Sequence, residues 1–155
     1  MDLRQLFDDL VRFETDLWNG IDARLRQDCG VTLGSLNVLL VVERAGSCRV
    51  NDIAAALSIT VGGASQAVDR LEKAGHCVRR PHRTDRRSSI VELTAAGRDL
   101  VDEAGPVFDR ELATWLAGPL PAPELGHLAS TLAVLRAANP RTPDPGPTPL
   151  TKETR

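Results

Sequence analysis

"DIAAALSITVGGASQAVDRLEKAGHCVRRPHRTDRRSSIVELTAAG", residues 52–97, decides the fold of this 155-residue chain. It opens on a compact helix with Asn51 or Asp52 near its start and Ile53, Ala54 and Leu57 facing inward. Ser58 or Thr60 then offers an N-cap for a second helix. The inward positions of that helix are Val61, Ala64, Val68 and Leu71, and Gly75 ends it. Two short helices joined by a tight turn have the organisation of a helix-turn-helix. Residues 76–80 and 89–93 read as two strands around the polar tip "PHRTDRRS", and Thr94 caps the helix that follows. The block is therefore a winged helix-turn-helix.

Upstream, Leu3, Leu6, Phe7, Leu10, Phe13, Leu17, Trp18, Ile21 and Leu25 recur at steps of three and four, an apolar stripe along one long helix. Gly30 is expected to end the connection after it. "LGSLNVLLVVERA", residues 33–45, is apolar almost throughout and predicts a buried helix stopped by Gly46. Downstream, Leu100, Val101, Ala104, Phe108, Leu112 and Trp115 or Leu116 mark another helix. Gly105-Pro106 inside it predicts a kink or break, because proline removes a hydrogen bond and crowds the preceding turn. Leu125, Leu128, Leu132 and Leu135 line a last helix, Glu124–Ala138. Residues 140–155 hold five prolines and read as a disordered tail.

The fold class is mainly α with a small β-hairpin wing. Residues 1–32 form an N-terminal dimerisation helix, 33–94 the winged helix-turn-helix region and 95–139 C-terminal dimerisation helices, all in one integrated domain. The flanking helices have apolar faces too extensive for the small central block to cover. Leu6 and Leu10, with Leu125, Leu128, Leu132 and Leu135, are expected to bury theirs against a second copy of the chain.

Charge points to the partner. The chain carries a formal −2, yet Arg49–Ile90 holds eight basic and four acidic side chains, a local +4 against −6 elsewhere. A basic middle between acidic ends suits an anionic partner. Two Trp, three Phe and no Tyr argue against a stacking platform for single strands, which needs aromatic faces. No apolar run reaches the roughly 18 residues that span a bilayer, and the acidic, amphipathic N-terminus is unlike a signal peptide. A cytoplasmic protein with no membrane partner is the expectation. Cys29, Cys48 and Cys77 are odd in number and lack a CxxC pair, so neither a disulfide framework nor a thiolate zinc site is expected. No GxSxG, phosphate-binding loop or HExxH is present. The reading is no enzyme, no catalytic residue, no metal site and no cofactor.

Over roughly residues 5–138 the chain resembles the MarR (multiple antibiotic resistance regulator) family of transcriptional regulators. The resemblance rests on residues 52–97, with a D-x-R wing signature at Asp85-Arg86-Arg87 and "LTAAGR" after the second strand. It implies a homodimer on pseudo-palindromic double-stranded DNA, with members typically repressing and released by small anionic or phenolic ligands or by oxidants.

The second helix of the motif should enter the major groove by its N-terminal residues. Ser58, Thr60, Ser65 and Gln66 can reach bases or phosphates, and the Gln66 amide can pair bidentately with adenine. Gly62 and Gly63 let the backbone approach the DNA. Arg70 suits a phosphate contact. On the wing, Arg83, Arg86 and Arg87 bring positive charge to the tip, where a narrow minor groove favours an inserted guanidinium. The resemblance implies that Arg87 inserts and that Asp85 orients it. It also places an effector cleft between the dimerisation helices and the winged lobe, for which Trp18, Arg24, Arg26 and Asn37 are candidates.

Two alternatives stay open. One is a cysteine-based redox sensor, in which Cys48 and Cys77 approach each other if the extended piece before the motif pairs with the wing, with Arg49 and Arg79 supplying an electropositive setting. The other is a sequence-indifferent architectural DNA binder, whose binding would track salt alone.

Overall fold

The carboxylate of Asp2 accepts the N–H of Arg4 at 2.9 Å and starts α1 (Leu3–Cys29). This computed structural model describes residues 1–81 and 89–139. α1 runs past the apolar stripe to Gly30, whose left-handed φ of +66° makes it the cap of α1 itself, so the connection to α2 (Leu33–Ala45) is very short. Asp22 on α1 accepts the N–H of Leu33 at 2.8 Å, which joins the start of α2 to α1. Burial pulls the Asp22 carboxyl upward, but the Leu33 N–H and the Arg26 guanidinium outweigh it and hold it below its ordinary range.

α3 (Val50–Leu57) starts where the Asp52 side chain reaches back to the N–H of Arg49 at 2.8 Å. Asp52 thus serves from the third helical position and Arg49 occupies the cap. Ser58 ends α3 in the left-handed region, at φ +54°. Thr60 caps α4 (Val61–Lys73), its hydroxyl oxygen accepting the N–H of Gly63 at 3.0 Å. β1 (Cys77–Pro81) and β2 (Ser89–Leu93) pair antiparallel, Cys77 opposite Leu93 and Arg79 opposite Val91. On the outer edge of β2, Cys48 and Val91 exchange two backbone hydrogen bonds. α5 (Ala95–Leu112) continues through a π-helical turn, Ala113–Ala117, and α6 (Ala122–Ala138) follows. Among the described residues no helix is long and apolar enough to cross a membrane.

Two cores result. Val38, Leu39, Val42, Ile53, Ala64, Val68 and Val91 fill the winged lobe. Ile21, Leu25, Leu36, Ala104 and Val107 join α1, α2 and α5. Leu40 and Leu100 touch both, so the lobes share side chains. Each fully buried aliphatic residue contributes about 2 kcal/mol by leaving water.

Two sequence expectations fail here. Val61 is 44% exposed and the inward face of α4 uses Ala67 instead, because Val61 opens the helix a turn before it meets the core. α5 does not break at Pro106. Pro106 and Asp102 lie on the solvent side while Ala104 and Val107 are buried, so water can satisfy the carbonyl that proline leaves unpaired.

Much apolar surface stays uncovered. Leu6, Phe7, Leu10 and Phe13 of α1 are exposed, as are Leu132, Val134 and Leu135 of α6. Leu125 and Leu128 are half-buried, and no α6 residue is buried.

Thr94 explains the L-T-x-x-G stretch. Its N–H donates to the His76 carbonyl at 3.1 Å. Its hydroxyl donates to the Gly75 carbonyl at 2.6 Å and accepts from the Gly97 N–H at 3.0 Å. A Cβ at Gly97 would collide with the His76 carbonyl oxygen, so the first turn of α5 lies on the wing base only if residue 97 lacks a side chain. Gly97→Ala should destabilise the chain by about 2 kcal/mol or more, the scale of a core steric conflict. Urea denaturation checks this, and an unchanged midpoint would contradict the contact.

Candidate nucleic-acid interface

The face of α4 turned away from the core carries Gly62, Gln66, Asp69, Arg70 and Lys73, all exposed. Their spacing of three and four makes one stripe along the helix. The two glycines at its start differ. A Cβ at Gly63 would lie 3.1 Å from the Thr60 hydroxyl, so the cap explains it. At Gly62 nothing among the described residues lies within 4 Å, so none of them accounts for a glycine there. Thr60 spends its oxygen as a cap acceptor but can still donate. Ser65 is half-buried and Ser58, in the turn, is exposed.

Arg70 makes no ion pair among the described residues, because its acidic neighbours belong to another cation. Arg79 Nη2 lies 2.6 Å from Asp69 Oδ1, and Nη1 lies 2.7 Å from Glu72 Oε2. The Arg79 N–H also donates to Glu72 at 2.9 Å, and its guanidinium reaches the Ser65 carbonyl at 3.4 Å. Glu72 thereby caps the open edge of β1 and ties it to α4. Arg80 pairs with Glu92 across the strands at 2.9 Å. In the sequence alone Arg79 and Arg80 are positive charges on the wing strand, Arg79 also lying near the cysteines. The alternation that turns Arg79 toward α4 and Arg80 toward solvent was the signal available. Arg83, Asp85, Arg86 and Arg87 lie outside the described residues, as does the tail from 140.

The effector candidates separate. Trp18 and Asn37 line a cavity of about 210 Å³ with Glu14, Leu17, Ile21 and Phe108. Arg24 and Arg26 do not line it. Arg24 is engaged by Asp28 at 3.0 Å and Glu111 at 3.7 Å, and Arg26 by Asp22 at 2.6 Å. Both basic residues are drawn to acids on α1 and α5 rather than to the cleft.

The cysteines are placed against the redox alternative. The extended piece does pair with the wing, but Cys48 joins the outer edge of β2 while Cys77 lies in β1 on the other side. Two strand spacings, about 10 Å, separate Cys48 from Arg79, and Cys77 lies two residues further along β1, so the pair is well beyond the roughly 7 Å a disulfide spans. Burial pushes the Cys48 thiol up, and pushes Cys77 up to about 11, with Arg79 opposing too weakly to matter. Burial also raises Cys29.

With this geometry in view, the class is a winged helix-turn-helix protein with long flanking helices. Residues 30–88 match the MarR family model, which covers the helix-turn-helix part of the chain. Over 79 residues it is 30% identical to the HTH-type transcriptional regulator BilQ of Clostridium symbiosum, covering 51% of this chain and 55% of BilQ. The chain thus spans about half the length of the curated relative it matches. In structure it is similar to Sco3205, a MarR family transcriptional regulator from Streptomyces coelicolor solved in complex with DNA. That likeness has a TM-score of 0.82 at 21% identity over 88% of this chain and 91% of Sco3205. It is also similar to CouR from Rhodococcus jostii bound to p-coumaroyl-CoA, with a TM-score of 0.73 at 25% identity over 87% and 92% of the two chains.

The Glu72 carboxyl is held below its ordinary range, first by the Arg79 N–H and then by the guanidinium. Its stabilisation is therefore fully present above the unfolded glutamate value, about 4.3, and is lost as pH falls through the lower folded value. Glu72→Gln should lower Tm at pH 7 by a few degrees, and the deficit should shrink below about pH 4. A deficit independent of pH would show that the carboxylate charge is not what binds β1 to α4.

Proposed function

We propose that the chain is a homodimeric, sequence-specific regulator of transcription that binds double-stranded DNA and acts as a repressor released by a small molecule. The observation that carries this reading is the uncovered stripe of α4, whose start at Gly62 meets no other described residue within 4 Å. α4 enters the major groove, Gln66 reads a base edge, and Arg70 contacts a phosphate. Ser58, Thr60 and Ser65 flank them, and the N–H groups at the helix start favour a phosphate. Arg83, Arg86 and Arg87 carry the wing into the minor groove, with Asp85 orienting Arg87. Residues 33–94 read DNA while 1–32 and 95–139 dimerise. The exposed leucines of α1 and α6, Leu6, Leu10, Leu132 and Leu135, support dimerisation, since an apolar surface of this extent is normally covered by a partner.

The cavity beside Trp18 supports release by a small ligand. Its volume of about 210 Å³ suits a single ring, its walls are largely apolar, and Asn37 supplies a hydrogen-bonding amide. Glu14 is the charged residue in its lining, which favours a neutral phenol over an anion.

Arg87→Ala should weaken binding to duplex DNA from the region upstream of the coding sequence at least about tenfold, with circular dichroism unchanged. Equal affinity in an anisotropy titration would remove the wing from the interface. An unrelated duplex competing equally would turn the reading into sequence-indifferent binding. Leu10→Asp with Leu132→Asp should shift sedimentation from dimer to monomer, and a persisting dimer would place the interface elsewhere.

A further inference from the structure

Taking the proposed DNA-binding reading as given, we infer that Arg79 is a positioning residue. It masks the two carboxylates of α4 and fixes the wing stem to that helix, so that a neutral helix presents a positive face to DNA. α4 carries two acids, Asp69 and Glu72, and two bases, Arg70 and Lys73, so alone it has no net charge. Asp69 is 62% exposed and lies on the same stripe as Gln66 and Arg70. An unmasked carboxylate there would stand within a Debye length, about 8 Å, of any phosphate that Arg70 contacts. Like charges placed together at an interface are strongly unfavourable. The Arg79 guanidinium closes on both acids, at 2.6 Å and 2.7 Å, and makes the ensemble net positive.

The planar fork matters as well as the charge. One end meets Asp69, the other Glu72, and the Ser65 carbonyl takes a third contact. These acceptors lie one and two turns apart on α4, and one guanidinium reaches all three. A lysine ammonium is a point charge without that geometry. The backbone N–H of Arg79 bonds to Glu72 whatever the side chain, so the strand stays attached when the guanidinium is removed.

The test uses the full chain and a labelled duplex from the region upstream of its coding sequence, titrated at several salt concentrations. Arg79→Met keeps the aliphatic stem but bares both acids. It should lower affinity about tenfold or more and make the salt dependence shallower, because fewer counterions are released. Adding Asp69→Asn and Glu72→Gln to that variant removes the bared charges and should restore affinity to within about threefold of the parent. Arg79→Lys should fall between. Circular dichroism and sedimentation of every variant confirm fold and assembly. Unchanged affinity in Arg79→Met would overturn the proposal, as would a triple variant no better than Arg79→Met, which would leave Arg79 a scaffold contact alone. If the parent binds neither this duplex nor an unrelated one, the DNA-binding reading itself fails, a result distinct from either.

Discussion

The junction at Thr94 holds the molecule together. Three hydrogen bonds from one residue tie the end of α4, the base of the hairpin and the first turn of α5 to a single point. The bare Gly97 backbone lies against the His76 carbonyl at the same place. Without these bonds the backbone groups of Gly75, His76 and Gly97 would lose their partners where the three elements meet. The position of the wing relative to α4 follows from this junction at one end of the hairpin. Arg79 and Glu72 fix it further along.

From that point α5 carries the geometry to the other half of the molecule. Leu100 sits between the two cores, and Ala104 and Val107 meet α1. Further on, the Trp115 ring presses on α1 at Gly20, where a Cβ would come within 2.6 Å of it. Phe108, in the wall of the cavity beside Trp18, belongs to the same helix. On the proposed function, a ligand in that cavity bears on α5, and α5 bears on the base of the wing. On that reading both sites meet on α5, a contiguous element of packed side chains that can carry coupling between them.

The architecture was legible in the sequence because it rests on short-range rules. Helical spacing located all six α-helices of the described residues. Gly46 and Gly75 marked ends, and Thr60 and Thr94 marked starts, through side-chain chemistry local to each turn. What escaped depends on tertiary contacts. Val61 fits the helical period yet opens a turn before α4 reaches the core. Pro106 leaves α5 unbroken because its freed carbonyl faces water. Arg24 and Arg26 have the residue type for an effector cleft, but acids on α1 and α5 claim them. Cys48 does pair with the wing, but on the edge away from Cys77. Arg79 was hidden among neighbouring arginines, since only the pairing of β1 with β2 turns it toward Asp69 and Glu72.

The central claim is that the α4 stripe and the wing together read a duplex sequence in symmetric pairs. Selection of bound duplexes from a randomised pool tests it most directly. The account predicts an enriched two-fold symmetric motif, with half-sites separated by about 10 base pairs or a multiple of that helical turn. A recovered pool with no enriched motif, its retention governed by salt alone, would contradict it.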